Sequence, residues 1–243
     1  MQGSPTISLG QVLFALLPVA LLILGGIAVR VKRMGPGLQS IILHFAAGVV
    51  FSVVAVELLP DMIRIHDPYA IIIGFVLGIA TMLLAKKYTS GLKQEVGKMG
   101  LPWGILVAVG IDLLLDGLLL GTGFAAGKKE GVLLALALST ECLSLGLALG
   151  GTLVGVGTKM PKLVVVMCLL GALLLFGAAT GFFVLQYTGE RTLEVLLSFG
   201  SAALLFLVTE ELLVEAHHQK DTPVYTSAFF TGFLLFIVMG MFI

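Results

Sequence analysis

The chain has 243 residues, of which 58% are hydrophobic and only 12% are charged, and its mean hydropathy is +1.13. Soluble domains carry about 25% charged residues, so this composition excludes a soluble protein and indicates an integral membrane protein. The net charge is zero, which argues against nucleic acid as a partner. The two cysteines, Cys142 and Cys168, lie in apolar runs and predict neither a disulfide framework nor a zinc site.

The first apolar run raises the question of a signal peptide. It extends from about Leu9 to Val29, has no positive charge before it, and is followed by Arg30, Lys32 and Arg33. A cleavable signal has its positive charges before the apolar core and small residues after it. Because the order is reversed here, we expect this run to be a permanent membrane span.

Eight apolar segments are long enough to cross the hydrocarbon core of a bilayer, which takes about 20 residues. Glycine, proline and charged residues separate them, as in Gly35-Pro36-Gly37 and Asp67-Pro68. No stretch is left over for a soluble domain, so residues 1–243 are predicted to form a single transmembrane domain in contact with lipid. The predicted spans are 8–30, 38–60, 68–86, 102–127, 131–157, 161–187, 192–215 and 223–243.

Lysine and arginine are unevenly divided between the predicted loops. The odd-numbered loops hold ten of these residues and the even-numbered loops hold four. Because cytoplasmic loops are enriched in lysine and arginine, the odd loops are predicted to be cytoplasmic and both termini to lie outside. A multi-pass protein of a cell membrane, either plasma or inner, is therefore expected. The ten residues are Arg30, Lys32, Arg33, Lys86, Lys87, Lys93, Lys98, Lys159, Lys162 and Lys220.

The second and seventh spans resemble each other in sequence. The 17 residues that begin at Phe45 align without a gap with those that begin at Phe199, and Glu57 then pairs with Glu211. The two spans cross the bilayer in opposite directions, so the copies are predicted to be inverted, as in many secondary transporters. Chance similarity between apolar helices is the alternative, but it does not account for the matched acids.

Three acids lie at mid-membrane depth: Asp112 and Asp116 in the fourth span and Glu141 in the fifth. A charge at the bilayer centre costs roughly 2.5–3.5 kcal/mol on insertion scales, and neither span contains lysine, arginine or histidine. Asp112 and Asp116 are four residues apart and share a helix face, and the short connection makes the two helices antiparallel neighbours. We expect the acids to bind a cation together, to hold protons or to face water. The remaining alternative is that a protonated carboxyl group forms a hydrogen bond between packed helices.

Neutral oxygen atoms accompany these acids. Thr140 and Ser144, together with Ser139, are available as auxiliary ligands beside Glu141. A set of oxygen ligands favours hard or borderline divalent ions such as Mn²⁺, Fe²⁺ or Mg²⁺, and zinc also accepts carboxylates.

Two pairs of glycines are spaced for close helix packing. Gly117 and Gly121 lie in the fourth span, and Gly146 and Gly150 lie in the fifth. Small residues four apart let membrane helices approach closely. We therefore expect these two spans to pack tightly against each other beside the acids.

Further acids lie toward span ends, where solvated carboxylates are ordinary. Glu57 and Asp61 end the second span, and Glu211 and Glu215 end the seventh. The inverted arrangement predicts the first pair at the outer mouth and the second at the inner mouth, as vestibule or gating residues. The histidines are interpreted as loop or interface residues rather than ligands: His44, His66, His217 and His218.

The layout and motifs resemble the ZIP (Zrt/Irt-like) metal transporters. That family carries a motif of the type H-N-x-P-E-G in its fourth span and one close to H-E/N-x-P-E-G in its fifth. The matching strings here are Asp112-Leu-Leu-Leu-Asp116-Gly117 and Glu141-Cys-Leu-Ser-Leu-Gly146, and the second span from His44 to Pro60 is similar as well.

The resemblance implies which residues form the transport site. Asp112, Asp116 and Glu141 occupy positions of the family's primary metal ligands. Apolar residues and a cysteine replace the ligands of its second metal site, so one carboxylate-rich site is implied rather than a two-metal centre. The replacements are Leu113, Cys142 and Leu145.

The predicted fold is an all-α membrane protein with eight transmembrane helices in a 3+2+3 arrangement, with an inverted repeat of spans 1–3 and 6–8. The predicted function is transport of divalent metal cations (Mn, Fe, Zn or similar) by alternating access at the carboxylate site. The metal is then cargo, no prosthetic group is expected, and the resemblance implies a homodimer. The alternatives are a proton-coupled transporter of another solute and a non-transporting membrane metal sensor. No nucleophile–base pair is evident, so an enzyme is not expected.

Overall fold

The computed structural model describes residues 9–31, 35–65, 67–90, 101–186, 190–217 and 222–242. In this part of the chain, eight helical spans are long and apolar enough to cross a membrane, which confirms the all-α class and the predicted number of spans. The α-helices are α1 (Leu9–Val31), α2 (Pro36–Val53), α3 (Leu59–Ile65), α4 (Pro68–Ser90), α5 (Trp103–Ala126), α6 (Lys128–Gly155), α7 (Met160–Gln186), α8 (Glu190–Leu207), α9 (Leu213–Ala216) and α10 (Pro223–Phe242). Two turns of π-helix, π1 (Val54–Leu58) and π2 (Val208–Leu212), join α2 to α3 and α8 to α9 within the second and seventh spans.

Prolines set the starts of four helices. α2, α4 and α10 begin on Pro36, Pro68 and Pro223, and Pro161 is the second residue of α7. Proline is tolerated in the first helical turn because the N–H that it lacks would have had no partner within the helix. Breaks that the sequence predicted at prolines therefore coincide with helix starts.

The fifth span begins earlier than predicted. The sequence placed its start at residue 131, but α6 begins at Lys128. Only Gly127, with φ −179° and ψ 162°, separates α6 from α5. Lys128 and Lys129 therefore lie in the first turn of a helix instead of in a loop.

A π turn widens the second and seventh spans at equivalent places. The Leu59 N–H bonds to Val54 O, five residues back, and the Leu213 N–H bonds to Val208 O in the same way. Pro60 follows π1, and because it has no N–H it cannot form the ordinary helical bond to the carbonyl four residues back. No proline accompanies π2, so a π turn forms at this place in the repeat without one.

The predicted packing of the glycine pairs against each other is wrong. A Cβ atom on Gly117 or Gly121 would overlap backbone atoms of α7, and one on Gly146 or Gly150 would overlap backbone atoms of α1. The reason is helical geometry: successive residues point about 100° apart around the axis, so Gly117 cannot share the face of Asp116. The glycines bind α5 to α7 and α6 to α1, while the acids occupy a different face.

Four spans form the centre of the bundle. The second, fourth, fifth and seventh spans are half or more buried, whereas the first, third, sixth and eighth are 11–39% buried. The most extensive pairings are α5 with α7, α1 with α6, α4 with α8 and α2 with α10. α5 and α6, which carry the mid-membrane acids, are thus central helices.

Contacts at helix termini define the two ends of the bundle. Arg191 pairs with Asp67 at 3.3 Å, where α8 and α4 begin. The Arg30 guanidinium donates to Thr158 O at 3.4 Å, where α1 and α6 end. We name these the Asp67 end and the Arg30 end. Because α6 runs from one end to the other, the α5–α6 connection lies at the Asp67 end.

Substitution of Gly121 by alanine tests the contact between α5 and α7. The added methyl group would overlap the Ala178 carbonyl, and overpacking of this kind costs about 1–3 kcal/mol. We expect the Tm in detergent to fall by several degrees. The control is Gly240→Ala, because a Cβ atom there has no neighbour within 4 Å. Equal Tm values for the two variants would contradict the close packing.

Candidate metal centre

The structure brings the three mid-membrane acids together. One carboxylate oxygen from each of Asp112, Asp116 and Glu141 can be chosen so that all three lie within 4.8 Å of one another. Asp116 is 4% exposed and Glu141 is 2% exposed, whereas Asp112 is half-buried. The spacing of Asp112 and Asp116 along α5 and the short connection to α6 thus bring the three acids together, as the sequence predicted.

The two buried acids of the cluster have unsatisfied oxygen atoms. Asp116 Oδ2 and Glu141 Oε2 are buried and have no hydrogen-bond partner among the described residues. The ion pairs found in that part of the chain involve none of the three acids. A buried charge without a partner is strongly unfavourable, so the cluster needs a cation or a proton.

Carboxylate oxygens of Asp116 and Glu141 lie within 4.8 Å of each other. An ionised carboxylate can only accept hydrogen bonds. Two ionised carboxylates this close repel each other and have no proton to share, so a proton or a cation between them lowers the free energy, and a divalent ion would displace such a proton. The same geometry can serve proton exchange or cation binding.

The hydroxyl groups near Glu141 are oriented by their own helix. Ser144 Oγ donates to Glu141 O at 2.7 Å, and Thr140 Oγ1 donates to Ala137 O at 2.7 Å. A hydroxyl group that donates its proton keeps lone pairs that can bind a cation. Their role as auxiliary ligands stays a prediction.

A cavity of about 240 Å³ lies beside Asp112. Its wall includes Lys86 of α4, Leu145 of α6 and Glu211 of π2. Since Lys86 is near the end of α4, the cavity extends from Asp112 toward the Arg30 end. Glu211, which the sequence assigned only to a mouth, therefore lies on the same cavity as a member of the acid cluster.

Lysines from neighbouring helices accompany the acids of both π turns. Lys86 Nζ lies 2.6 Å from Glu210 Oε2, and Lys129 Nζ lies 4.0 Å from Glu57 Oε1. Sequence reasoning used these lysines only to orient the spans. In the sequence, each of these pairings could have been suspected from a lysine at the end of an apolar span and an acid near the end of another span.

Glu215 lies on a different cavity, of about 540 Å³, with Gln39 of α2 and Thr152 of α6. This cavity and the one beside Asp112 share no lining residue. Asp61 lies one turn beyond Glu57, at the start of α3. The predicted vestibule roles of these acids stay predictions.

One further buried acid was not predicted from the sequence. Glu194 of α8 is 0% exposed, and its Oε1 accepts the Asp67 N–H at 3.1 Å. The Asp67 carboxylate in turn accepts the N–H groups of Tyr69 and Ala70 at the start of α4. These carboxylates satisfy N–H groups at a helix N-terminus, while Glu194 Oε2 is buried without a hydrogen-bond partner among the described residues.

Two of the four histidines fall in the described residues. His44 is buried within α2 and packs against Tyr225 of α10. His217 is exposed at the end of α9. His66 and His218 lie outside the described residues.

Comparison with models of known protein families found no match, and comparison with curated proteins found no significant match. The resemblance to ZIP transporters therefore depends on the motifs and layout given above. What it implies about function is a proposal.

Metal-dependent thermal unfolding tests the acid cluster. A ligand at 100 times its Kd stabilises a protein by about 2.7 kcal/mol, which corresponds to a Tm increase of about 5–10 °C for a chain of this size. We expect Mn²⁺ to produce such an increase in the wild-type protein and none in Asp116→Asn or Glu141→Gln. Glu95→Gln, which removes an acid between α4 and α5, should keep the full increase. A Tm that no divalent ion changes would exclude a metal centre.

Proposed function

We propose that this protein carries divalent metal cations across a membrane by alternating access, with Asp112, Asp116 and Glu141 as the ligands of the transported ion. The observation that carries this proposal is the acid cluster itself: three carboxylates from two central helices within 4.8 Å, with unsatisfied oxygen atoms and no basic partner among the described residues. A structural role would not require three acids to meet at this depth.

The ligand chemistry favours hard or borderline ions. Carboxylate and hydroxyl oxygens suit Mn²⁺, Fe²⁺ and Mg²⁺, and Zn²⁺ also accepts carboxylates. Cys142 follows Glu141 directly and is buried, but a single thiol does not make a soft site. The ion is transported cargo that binds reversibly.

The repeat supports alternating access. Val54 and Val208 begin the two π turns, and they are equivalent in the alignment that pairs Phe45 with Phe199. The helix pairings are also equivalent when spans 1–3 are exchanged with spans 6–8 and the fourth span with the fifth. The pair α5 and α7 then corresponds to α6 and α1, and the pair α4 and α8 corresponds to α10 and α2. These correspondences support a 3+2+3 arrangement in which spans 1–3 and 6–8 are inverted copies.

The pairings also support a division into moving and fixed parts. α5 packs on α7, α6 packs on α1, and α1 contacts α7, so these four helices form one group around the acid cluster. The second span pairs with α10 and the seventh with α4, which makes these spans the scaffold. A sliding, elevator-like motion and a homodimer are the arrangements that the ZIP resemblance implies.

The cavity supports access from one side. It connects Asp112 with Lys86 and Glu211 toward the Arg30 end. On the other side of the acids, Leu120 and Leu138 are each 0% exposed and lie one turn closer to the α5–α6 connection. By the distribution of lysine and arginine, the Arg30 end is cytoplasmic and both termini are outside. Glu211 and Glu215 are then inner vestibule residues, and Glu57 and Asp61 are outer ones.

Ion flux into proteoliposomes tests transport directly. We expect the wild-type protein to admit at least one of Mn²⁺, Fe²⁺, Zn²⁺ or Mg²⁺ faster than empty vesicles do. Asp116→Asn and Glu141→Gln should each lower that flux at least tenfold because each removes a ligand charge, whereas Glu95→Gln should not change it.

Two results would contradict the carrier proposal in different ways. Wild-type flux equal to that of empty vesicles, in protein whose Tm responds to the metal, would favour a metal sensor. Flux of protons or another solute that is indifferent to divalent ions would favour the proton-coupled alternative.

A further inference from the structure

A pair of histidines lies at the Arg30 end, apart from the acid cluster. His44 of α2 and His217, which directly follows α9, have ring centroids 5.2 Å apart with the ring planes inclined by 56°. His44 is 4% exposed, and His217 is exposed. One imidazole is therefore fixed in the protein interior, and the other can be reached from solvent.

Hydrogen bonds to the backbone fix the tautomer of both rings. His44 Nδ1 lies 2.8 Å from Ser40 O, and His217 Nδ1 lies within hydrogen-bonding distance of Leu213 O. A carbonyl oxygen can only accept, so each Nδ1 carries a proton and each neutral ring has its lone pair on Nε2. A backbone carbonyl that holds one ring nitrogen is the usual support of a histidine that binds metal through the other.

The spacing of the rings suits a shared ion. Metal–imidazole bonds of about 2.0–2.1 Å at a tetrahedral angle separate two ring centroids by about 5 Å. The observed separation of 5.2 Å agrees with that value. Tyr225 of α10 stacks on His44 with centroids 5.7 Å apart, which limits rotation of the buried ring.

The neighbouring contacts hold the two helices in register. Ser40 Oγ donates to Ala216 O at 2.9 Å, and Ala216 directly precedes His217. The hydrogen bond that joins α2 to α9 is thus one residue from the second imidazole and one turn from the first. The ring positions follow from packing that exists without metal.

We propose that His44 and His217 bind a borderline divalent transition-metal ion, such as Zn²⁺ or Cu²⁺, through their Nε2 atoms. Imidazole ligands favour these ions over Mg²⁺ and Mn²⁺, so the site differs in selectivity from the carboxylate cluster. A bound ion would cross-link the second and seventh spans at the Arg30 end. The site does not depend on the proposed transport function.

Electron paramagnetic resonance of bound Cu²⁺ tests this site. The full-length protein, purified with a tag that contains no histidine, is given one molar equivalent of Cu²⁺. Imidazole nitrogen couples to the copper spin and carboxylate oxygen does not, so the spectrum separates this site from the acid cluster. We expect coupling to two imidazole groups in the wild-type protein and displacement of the copper only by a large excess of Zn²⁺, because imidazole sites bind Cu²⁺ more tightly.

Variants identify the ligands. His217→Gln should remove the two-imidazole signal and weaken Cu²⁺ binding at least tenfold, and His44→Gln should do the same. His218→Gln and His66→Gln are the controls and should keep the signal. Because His44 is buried, its variant is judged only if it elutes as a folded species; otherwise the number of imidazoles coupled in the wild-type protein decides.

Three results would overturn the proposal. They are a wild-type spectrum without imidazole coupling, a spectrum with a single coupled imidazole, and an unchanged spectrum in His217→Gln. None of these would bear on ion flux or on the thermal response of the acid cluster, so the two proposals fail separately.

Discussion

The burial of carboxyl groups without basic partners is the constraint on which the account of this protein depends. Asp116 and Glu141 are almost fully buried at the centre of an apolar bundle, and each has an oxygen atom that no described group satisfies. The free energy of burying such a group falls only if a proton or a cation neutralises it. A cluster of three acids can exchange one for the other, which is the chemistry that a cation carrier needs.

The helix packing separates the helices around the cluster from the other central spans. Gly117 and Gly121 join α5 to α7, and Gly146 and Gly150 join α6 to α1. Close backbone contact makes each of these pairs a firm unit. The two π turns lie in the other central spans, and π turns occur often at functional sites. The acids of π1 and π2 thus lie on spans outside the group that carries the cluster.

Local features of the sequence predicted much of the fold. Long apolar runs and the prolines at their starts define the spans, because both act within one helix. The spacing of Asp112 and Asp116 and the short connection before α6 were sufficient to predict that Glu141 would join them.

Features that depend on the packing of distant helices could not be predicted in the same way. The sequence shows that Gly117 and Gly121 are spaced for close packing, but helical periodicity does not say which neighbour they meet. The presence of Glu211 and Lys86 on the cavity beside Asp112 likewise depends on how the seventh span packs against the third and fourth. The contact between His44 and His217 joins residues from the second and seventh spans, which no local pattern connects.

The position of a bound ion tests the central claim most directly. Crystals of the wild-type protein soaked in Mn²⁺ would reveal the ion by its anomalous scattering. The account predicts a peak within bonding distance of carboxylate oxygens of Asp112, Asp116 and Glu141. Manganese bound only at other residues, with the three carboxylates free of it, would contradict the account.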